Sequence, residues 1–180
     1  MFPFLFRSAL KEGKIHPQCL YAYLHIYKDV KRVCFEVNGP PIPLRRHRLG
    51  KAGMFNPSKP AQEEFLEACR HYLPSLPLEG PLSIKLHFYL PRPKSHLRSR
   101  NKQPYLREDA PTFHTSSPDV DNLGKFVLDA LNGHAYNDDR QIYKMTATKQ
   151  YVKDVTCKGK TWVSIRSIET PIDHEKLNET

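Results

Sequence analysis

The chain has 180 residues, 39% of them hydrophobic and 26% charged, which is the composition of a soluble globular domain long enough to bury a core. Its 28 Lys and Arg exceed its 19 Asp and Glu, and the net charge of +9 favours an anionic partner such as nucleic acid, although charge alone also fits a lysine-rich surface. The four cysteines form no CxxC pair, which argues against a disulfide framework or a zinc site and indicates a reducing compartment. No apolar run approaches the roughly 18 residues of a membrane span, so no membrane partner is expected.

The amino-terminal residues 1–31 form an extension whose role the sequence leaves open. They combine aromatic and basic residues with only two acids, Glu12 and Asp29. This composition resembles an organelle-targeting segment, yet it lacks the Ser and Arg richness of such segments, and an extra helix over 18–30 fits it equally well.

The rest of the chain reads as alternating strands and helices. A short strand over 32–39 is followed by a basic loop over 40–57 that Pro and Gly interrupt. A helix is predicted after Ser58 as its N-cap. Its apolar residues recur at helical spacing, at Ala61, Phe65, Ala68, Cys69, Tyr72 and Leu73.

Three strands complete the predicted sheet. The segment 82–90 alternates apolar and polar residues, the period of a strand with one buried face. Strands over 141–152 and 160–168 are predicted to form a hairpin. The order strand, helix, strand, helix, strand, strand predicts a small α+β domain over 32–169, with helices on a mixed sheet and a polar tail at 170–180.

A long basic arm over 91–118 separates the strand at 82–90 from the next helix. Six cations precede its first acid, namely Arg92, Lys94, Arg98, Arg100, Lys102 and Arg107. A solvated linker is one interpretation. The other is a mobile arm that is disordered in the free protein and binds phosphates.

The segment 118–140 gathers five carboxylates in a basic chain, namely Asp119, Asp121, Asp129, Asp138 and Asp139. Apolar residues from Leu123 to Leu131 recur at helical spacing, and Gly133 is a natural end for that helix. Asp121 and Lys125 fall one turn apart on the opposite, solvent-facing side. If the helix packs on the sheet, the loop with Asp138 and Asp139 could return to the first turn of the helix.

Each acid taken singly also fits an N-cap or a turn, where aspartate is common. An EF-hand loop starting at Asp119 is rejected, because Leu123 and Ala130 stand where calcium ligands belong. Grouped carboxylates beside an exposed Lys125 suit Mg²⁺ and phosphodiester hydrolysis.

The combined motif "PDVDNLGKFVLDALNG…YNDDRQI" closely resembles the RusA family of Holliday-junction resolvases, with D-x-D-N-x-x-K, then D-A-L, then D-D before a strand. The resemblance covers about residues 32–168 and implies a RusA-like fold. It makes Asp119, Asp121 and Asp139 the metal-binding catalytic acids and Lys125 the essential lysine. Asp138 is a weaker match than Asp139, and a structural role is expected for Asp129.

The resemblance also implies a Mg²⁺-dependent homodimer that nicks two opposing strands of a four-way DNA junction, in recombination and repair. Leu128, apolar on the polar helix face, is a candidate dimer contact. The expected compartment is intracellular and contains DNA, with organelle targeting by 1–31 left open. The residues expected to contact DNA are Arg92, Lys94, Arg98, Arg100 and Lys102 in the arm and Arg45, Arg46 and Arg48 in the loop.

Two alternatives remain from the residues themselves. One is a basic nucleic-acid-binding module whose acids only cap and turn. The other is a metal-dependent nuclease that acts on other branched DNA or on RNA.

Overall fold

The structure, a computed structural model, describes residues 32–46, 48–50, 53–100 and 103–168. The predicted extension 1–31 and tail 170–180 lie outside the described residues, as do Lys102 and the side chain of Arg100. A four-stranded mixed sheet packs one face against two α-helices, so the predicted α+β class is confirmed.

The main sheet consists of β1 (Arg32–Asn38), β4 (Leu82–Leu90), β7 (Ile142–Tyr151) and β8 (Lys160–Ser167). The helices are α1 (Lys59–Cys69) and α2 (Val120–Leu131). Two small antiparallel ribbons lie outside the sheet, namely β2 (Arg48–Gly50) with β3 (Gly53–Phe55) and β5 (Leu97–Arg100) with β6 (Gln103–Leu106). Short 3₁₀ turns cover Arg70–Tyr72, Lys94–His96 and Asp139–Gln141.

The strand order in the sheet is β1-β8-β4-β7, so the predicted hairpin between the last two strands is wrong. The strands β4 and β7 are parallel neighbours whose connection contains α2, and β8 pairs antiparallel with the other side of β4. The chain from β7 to β8 therefore passes the end of β4. Gly159 allows this passage, because its φ is +105° and a Cβ there would lie 2.8 Å from the carbonyl oxygen of Tyr89.

The core lies between the sheet and the helices. Alternate residues of β4 are buried, as its sequence pattern predicts, at Leu82, Ile84, Leu86, Phe88 and Leu90. The predicted apolar stripe of α2 is buried on them, and its Phe126 meets Phe65 of α1 edge to face, with ring centroids 5.9 Å apart. Truncating such a ring to alanine typically costs about 3–5 kcal/mol. None of the helices among the described residues is long and apolar enough to cross a membrane.

Helix α1 differs from its prediction at both ends. Ser58 is the N-cap residue, but its hydroxyl accepts the backbone N–H of Arg45 at 2.8 Å and makes no capping bond to the helix. The helix ends at Cys69, and Tyr72, expected on its buried face, is 49% exposed. Ala68, on the predicted apolar stripe, is exposed, whereas Leu66, outside that stripe, is buried.

In its described residues the basic arm is a folded segment, which corrects the expectation of a disordered one. Its far part forms the β5–β6 ribbon, and Arg92 fixes its base. The Arg92 guanidinium donates from Nε to Val152 O and from Nη1 to Pro111 O, both at 2.8 Å, and lies 5.3 Å from the ring centroid of Tyr151. Both ends of the arm are therefore tied to the domain.

Candidate active site

The first two acids lie at the amino-terminal end of α2. Asp119 immediately precedes the helix with an extended backbone (φ −73°, ψ 146°), and its side chain accepts no capping bond from the helix. Asp121 follows in the first turn, where its Oδ2 lies 3.6 Å from Nζ of Lys125, and the two side chains are 61% and 60% exposed. The positive end of the helix dipole stabilises both carboxylates. Since Asp119 does not cap the helix, its carboxylate is available to a ligand.

A lysine of β7 fixes the chain just before Asp119. Nζ of Lys149 donates to the carbonyl oxygens of Ser116 and Pro118, each at 2.6 Å. The peptide bond between Ser117 and Pro118 is cis. One ammonium thus holds the turn from which Asp119 projects.

The chain before this turn runs along the outer edge of β7. The N–H of Tyr151 donates to Thr112 O at 3.0 Å, and Phe113 forms a bridge with Gln150. The acid pair is therefore attached to the carboxyl-terminal end of β7.

Sequence reasoning missed Lys149, which looked like one more exposed cation in a strand. The only signal was strand alternation, which places Lys149 on the same face as Met145 and Ala147. That face turns toward α2, where a Cβ at Gly124 would lie 3.4 Å from the Met145 sulfur. A lysine on this face is partly removed from water and needs a hydrogen-bond partner within the protein, whereas a solvent-facing lysine does not.

The adjacent acids Asp138 and Asp139 have different surroundings. The Asp138 carboxylate accepts the backbone N–H of Arg140 at 2.9 Å and two guanidinium bonds at 3.0 and 2.9 Å, and it caps the short turn Asp139–Gln141. Hydrogen bonds from Arg140 hold the pKa of Asp138 well below its usual range. Asp139 is exposed and is not the N-cap residue of this turn. These contacts favour Asp139 over Asp138 as the candidate ligand.

Asp139 lies toward the carboxyl-terminal end of α2. The buried Tyr136 hydroxyl donates to Leu128 O at 2.8 Å, and burial together with the charges of Asp139 and Asp129 raises the pKa of Tyr136. Asp139 follows Tyr136 by three residues and begins the turn that leads into β7, whereas Tyr136 is bonded at Leu128, already nine residues and roughly 14 Å of helix rise beyond Asp119. Ligands of one Mg²⁺ sit about 2.1 Å from the ion, so side chains of this length cannot bridge that separation.

The expected return of the Asp138–Asp139 loop to the first turn of α2 is therefore wrong for a single chain. Because β4 and β7 are parallel, α2 runs antiparallel to both, and the loop into β7 starts where the helix ends. Among the described residues, no three carboxylate, His or Cys side chains are arranged to hold a metal ion. One chain supplies an all-oxygen pair, Asp119 and Asp121, which suits Mg²⁺ but is not the full predicted set. The catalytic roles of these residues stay predictions.

Three exposed arginines follow the segment that is tied to the first turn of α2. Arg45, Arg46 and Arg48 are exposed. The chain just before them is tied to α2, because the N–H of Leu44 donates to Asn122 O at 3.0 Å. These predicted DNA contacts therefore extend from beside the acid pair.

The cations of the arm fall into two groups. Lys94 and Arg98 are exposed, as a DNA contact requires. Arg92 is half-buried and donates from Nε and Nη1 inside the fold, so it has a structural role, and its role as a DNA contact stays a prediction. Arg107 is paired with Asp109 at 2.6 Å.

Two comparisons with known proteins identify the family of the chain. A family model described as endodeoxyribonuclease RusA matches residues 38–166, a range that contains every candidate site residue. The chain is also 35% identical over 127 residues to the uncharacterized protein YqaN of Bacillus subtilis (strain 168), and the match covers 67% of this chain and 88% of that relative. The chain therefore belongs to the RusA family of endodeoxyribonucleases.

Proposed function

We propose that this protein is a Mg²⁺-dependent endodeoxyribonuclease that resolves four-way DNA junctions by paired symmetric nicks, and that it acts in recombination and repair inside a DNA-containing compartment. The observation that supports this proposal most directly is the acid pair Asp119 and Asp121. The pair is exposed beside Lys125, and Lys149 holds the turn that precedes it. Family membership and the net charge of +9 support a DNA substrate.

Different side chains of the protein have different roles in the proposed reaction. Asp119 and Asp121 would hold Mg²⁺, which when bound polarises the phosphoryl oxygen and lowers the pKa of an attacking water. The Lys125 ammonium stabilises the charge that develops on the phosphate in the transition state. Exposed arginines around the site bind phosphates and orient the backbone.

The third acid comes from a second copy in this proposal. Asp139 and Asp119 of one chain are too far apart to bind the same ion, because most of the length of α2 separates them. In a twofold dimer with antiparallel β7 strands, the start of one β7 lies beside the end of the other. Asp139 of the partner subunit then comes next to the acid pair, and each dimer has two sites for two symmetric nicks.

The outer edge of β7 is suited to this contact. Within the described part, that edge is bridged only near Gln150, and its first half is open. Tyr143 and Met145 on this half are 59% and 44% exposed. An open apolar strand edge is a template for pairing with another chain. Leu128, the predicted dimer contact, is half-buried against the core and offers only its remaining surface.

Mixed dimers test the shared site. We expect Asp119→Asn and Asp139→Asn homodimers to bind junctions without cutting them, since each lacks a ligand in both sites. A heterodimer of the two variants, isolated with two affinity tags, has one site with both changes and one intact site. It should therefore nick an end-labelled four-way junction in the presence of Mg²⁺. A heterodimer as inactive as its parents would place all ligands within one chain and contradict the shared site.

The separation of the acids also fits the second candidate, a nucleic-acid-binding module whose acids only cap and turn. Wild-type protein that binds the junction but cuts no strand with Mg²⁺ or Mn²⁺ would support that function. Cleavage of flaps or RNA in preference to the junction would support the third, a nuclease with other branched substrates.

A further inference from the structure

The β2–β3 ribbon carries exposed apolar side chains on both of its faces. Leu49 and Met54 are direct cross-strand neighbours and are 80% and 68% exposed. Phe55 belongs to the alternate face and is 49% exposed, and its ring lies across Gly50, where a Cβ would meet Cδ1 at 3.3 Å. An isolated two-stranded ribbon gains little by exposing such residues, so this surface indicates a partner.

The charge around the ribbon selects the kind of partner. The sequence contains no carboxylate between Glu36 and Glu63. The cations in that interval are Arg45, Arg46, Arg48, Lys51 and Lys59. In the described residues no carboxylate pairs with the first three of them. A polyanion is attracted to such a surface, whereas the same basic ribbon of a second copy is repelled by it.

The root of the ribbon adjoins the candidate active site. The bond from Leu44 N–H to Asn122 O attaches it to the first turn of α2, and the Arg45 N–H bond to Ser58 attaches it to α1. Leu49 is five residues from Leu44, at most roughly 17 Å of extended chain. At about 3.4 Å of rise per nucleotide, the ribbon reaches bases within about five nucleotides of the phosphate at the acid pair.

We propose that the ribbon is a wedge that occupies the branch point of the four-way junction, with Leu49 and Met54 against one base pair and Phe55 against another. This proposal rests on the proposed function. Inserting apolar side chains into linear duplex requires stacked bases to separate. At a branch point the strands part, so neighbouring base pairs are held together by fewer backbone links and separate at a lower cost, and the ribbon buries its apolar surface there with a smaller penalty. The wedge thereby contributes preference for junctions over duplex.

The test uses a four-way junction with 2-aminopurine beside the branch point, because this base fluoresces more when it is unstacked. The variant is Leu49→Ser with Met54→Ser in the full chain. The matched control is Leu76→Ser, since Leu76 is 79% exposed and lies outside the ribbon. Affinities for the junction and for a linear duplex of the same sequence are measured at one salt concentration.

We expect the wild type and the control to raise the fluorescence on saturation and the double variant to lose most of that rise. The preference of the double variant for junction over duplex should fall about tenfold, the scale of one lost base-stacking contact. A full fluorescence rise in the double variant would overturn the wedge, as would an equal loss of affinity for both DNAs. A change in the oligomeric state of the variant, without a fluorescence change, would make the ribbon a contact between copies and also overturn it. Failure of the proposed function is distinguishable, because the unmodified protein would then neither prefer nor cut the junction.

Discussion

The Lys149 ammonium lies 2.6 Å from the carbonyl oxygen of Pro118, the residue that precedes Asp119. A second bond of the same length, to Ser116 O, makes Lys149 a clamp on the turn. Lys149 and Asp119 are 30 residues apart in the chain, yet the strand sets the position of the acid. We therefore treat Lys149 as a positioning residue for the metal site.

Lys149→Met should lower the single-turnover cleavage rate by about 10- to 100-fold, because a misplacement of about 1 Å at a reacting group can cost that much. The Mg²⁺ concentration for half-maximal rate should rise, and junction affinity should change little. Lys149→Arg keeps donors and should recover part of the rate. Lys85→Met removes one exposed charge from β4 and serves as the control. Equal losses of affinity and rate in Lys149→Met would make Lys149 a phosphate contact instead.

Lys125→Ala should lower the cleavage rate by about 10²- to 10³-fold, the usual scale for removing a group that stabilises transition-state charge. Metal affinity should change little, because an ammonium is not a ligand. Thermal stability should also be kept, since an exposed i,i+4 pair contributes only about 0.3–0.5 kcal/mol. Rate, Mg²⁺ dependence and melting temperature check these three points. A variant that loses mainly junction affinity would show that Lys125 is only a phosphate contact.

Local periodicity predicted the parts of the fold whose burial depends on local geometry. The stripe from Leu123 to Leu131 and the alternation from Leu82 to Leu90 both became core. The strand order was mispredicted because sequence neighbours such as β7 and β8 pair often, though not always. Here the α2 crossover places β7 beside β4, so no hairpin forms.

The sequence supplied candidate residues for the site but not their arrangement. The motif identified Asp119 and Asp139, while their separation follows from the direction in which α2 crosses the sheet. The prediction of a disordered arm was wrong for a similar reason. Arg92 is fixed by Val152, 60 residues away, and an arginine committed to a distant carbonyl has the same sequence signature as one in solvent.

Acidification should destabilise the protein through His114. This residue is buried beside Lys149 and His96, with its ring 4.8 Å from that of Tyr151. Burial, and then the charge of Lys149, lower its pKa in the folded state. The unfolded chain therefore takes up the proton first, so the His114 contribution is complete above about pH 6.5 and is lost as pH falls through the window below it.

His114→Gln should accordingly reduce the drop in melting temperature between about pH 7.5 and pH 5.5. His134→Gln, at an exposed histidine, is the control and should keep the wild-type drop. Thermal unfolding at the two pH values measures both. Identical drops in the wild type and His114→Gln would assign the acid sensitivity to other groups.

Arg92→Ala should destabilise the fold and not only DNA binding. It removes the bonds to Val152 O and Pro111 O, and hydrogen bonds of charged groups typically contribute about 1.5–3 kcal/mol. Arg98→Ala, which removes an exposed guanidinium of the same arm, is the matched control and should leave the free energy of unfolding near wild type. Urea unfolding of the two variants measures the difference. Equal stabilities would show that the anchor is dispensable.

The β5–β6 ribbon of the arm should contribute to DNA affinity but not to the choice of cleavage site. Contacts to phosphate carry little sequence information, and each one lost flattens the plot of log affinity against log salt by about one unit. Replacing Arg98, Arg100 and Lys102 with Ala should therefore weaken binding to junction and duplex alike and reduce the slope by up to about three units. Cleavage positions mapped on a labelled junction should stay where they are in the wild type. Because Arg92 still fixes the base of the arm in this variant, a lower slope reports lost phosphate contacts and not a displaced arm. An unchanged slope would make the arm a linker and move the main phosphate contacts to Arg45, Arg46, Arg48 and Lys51.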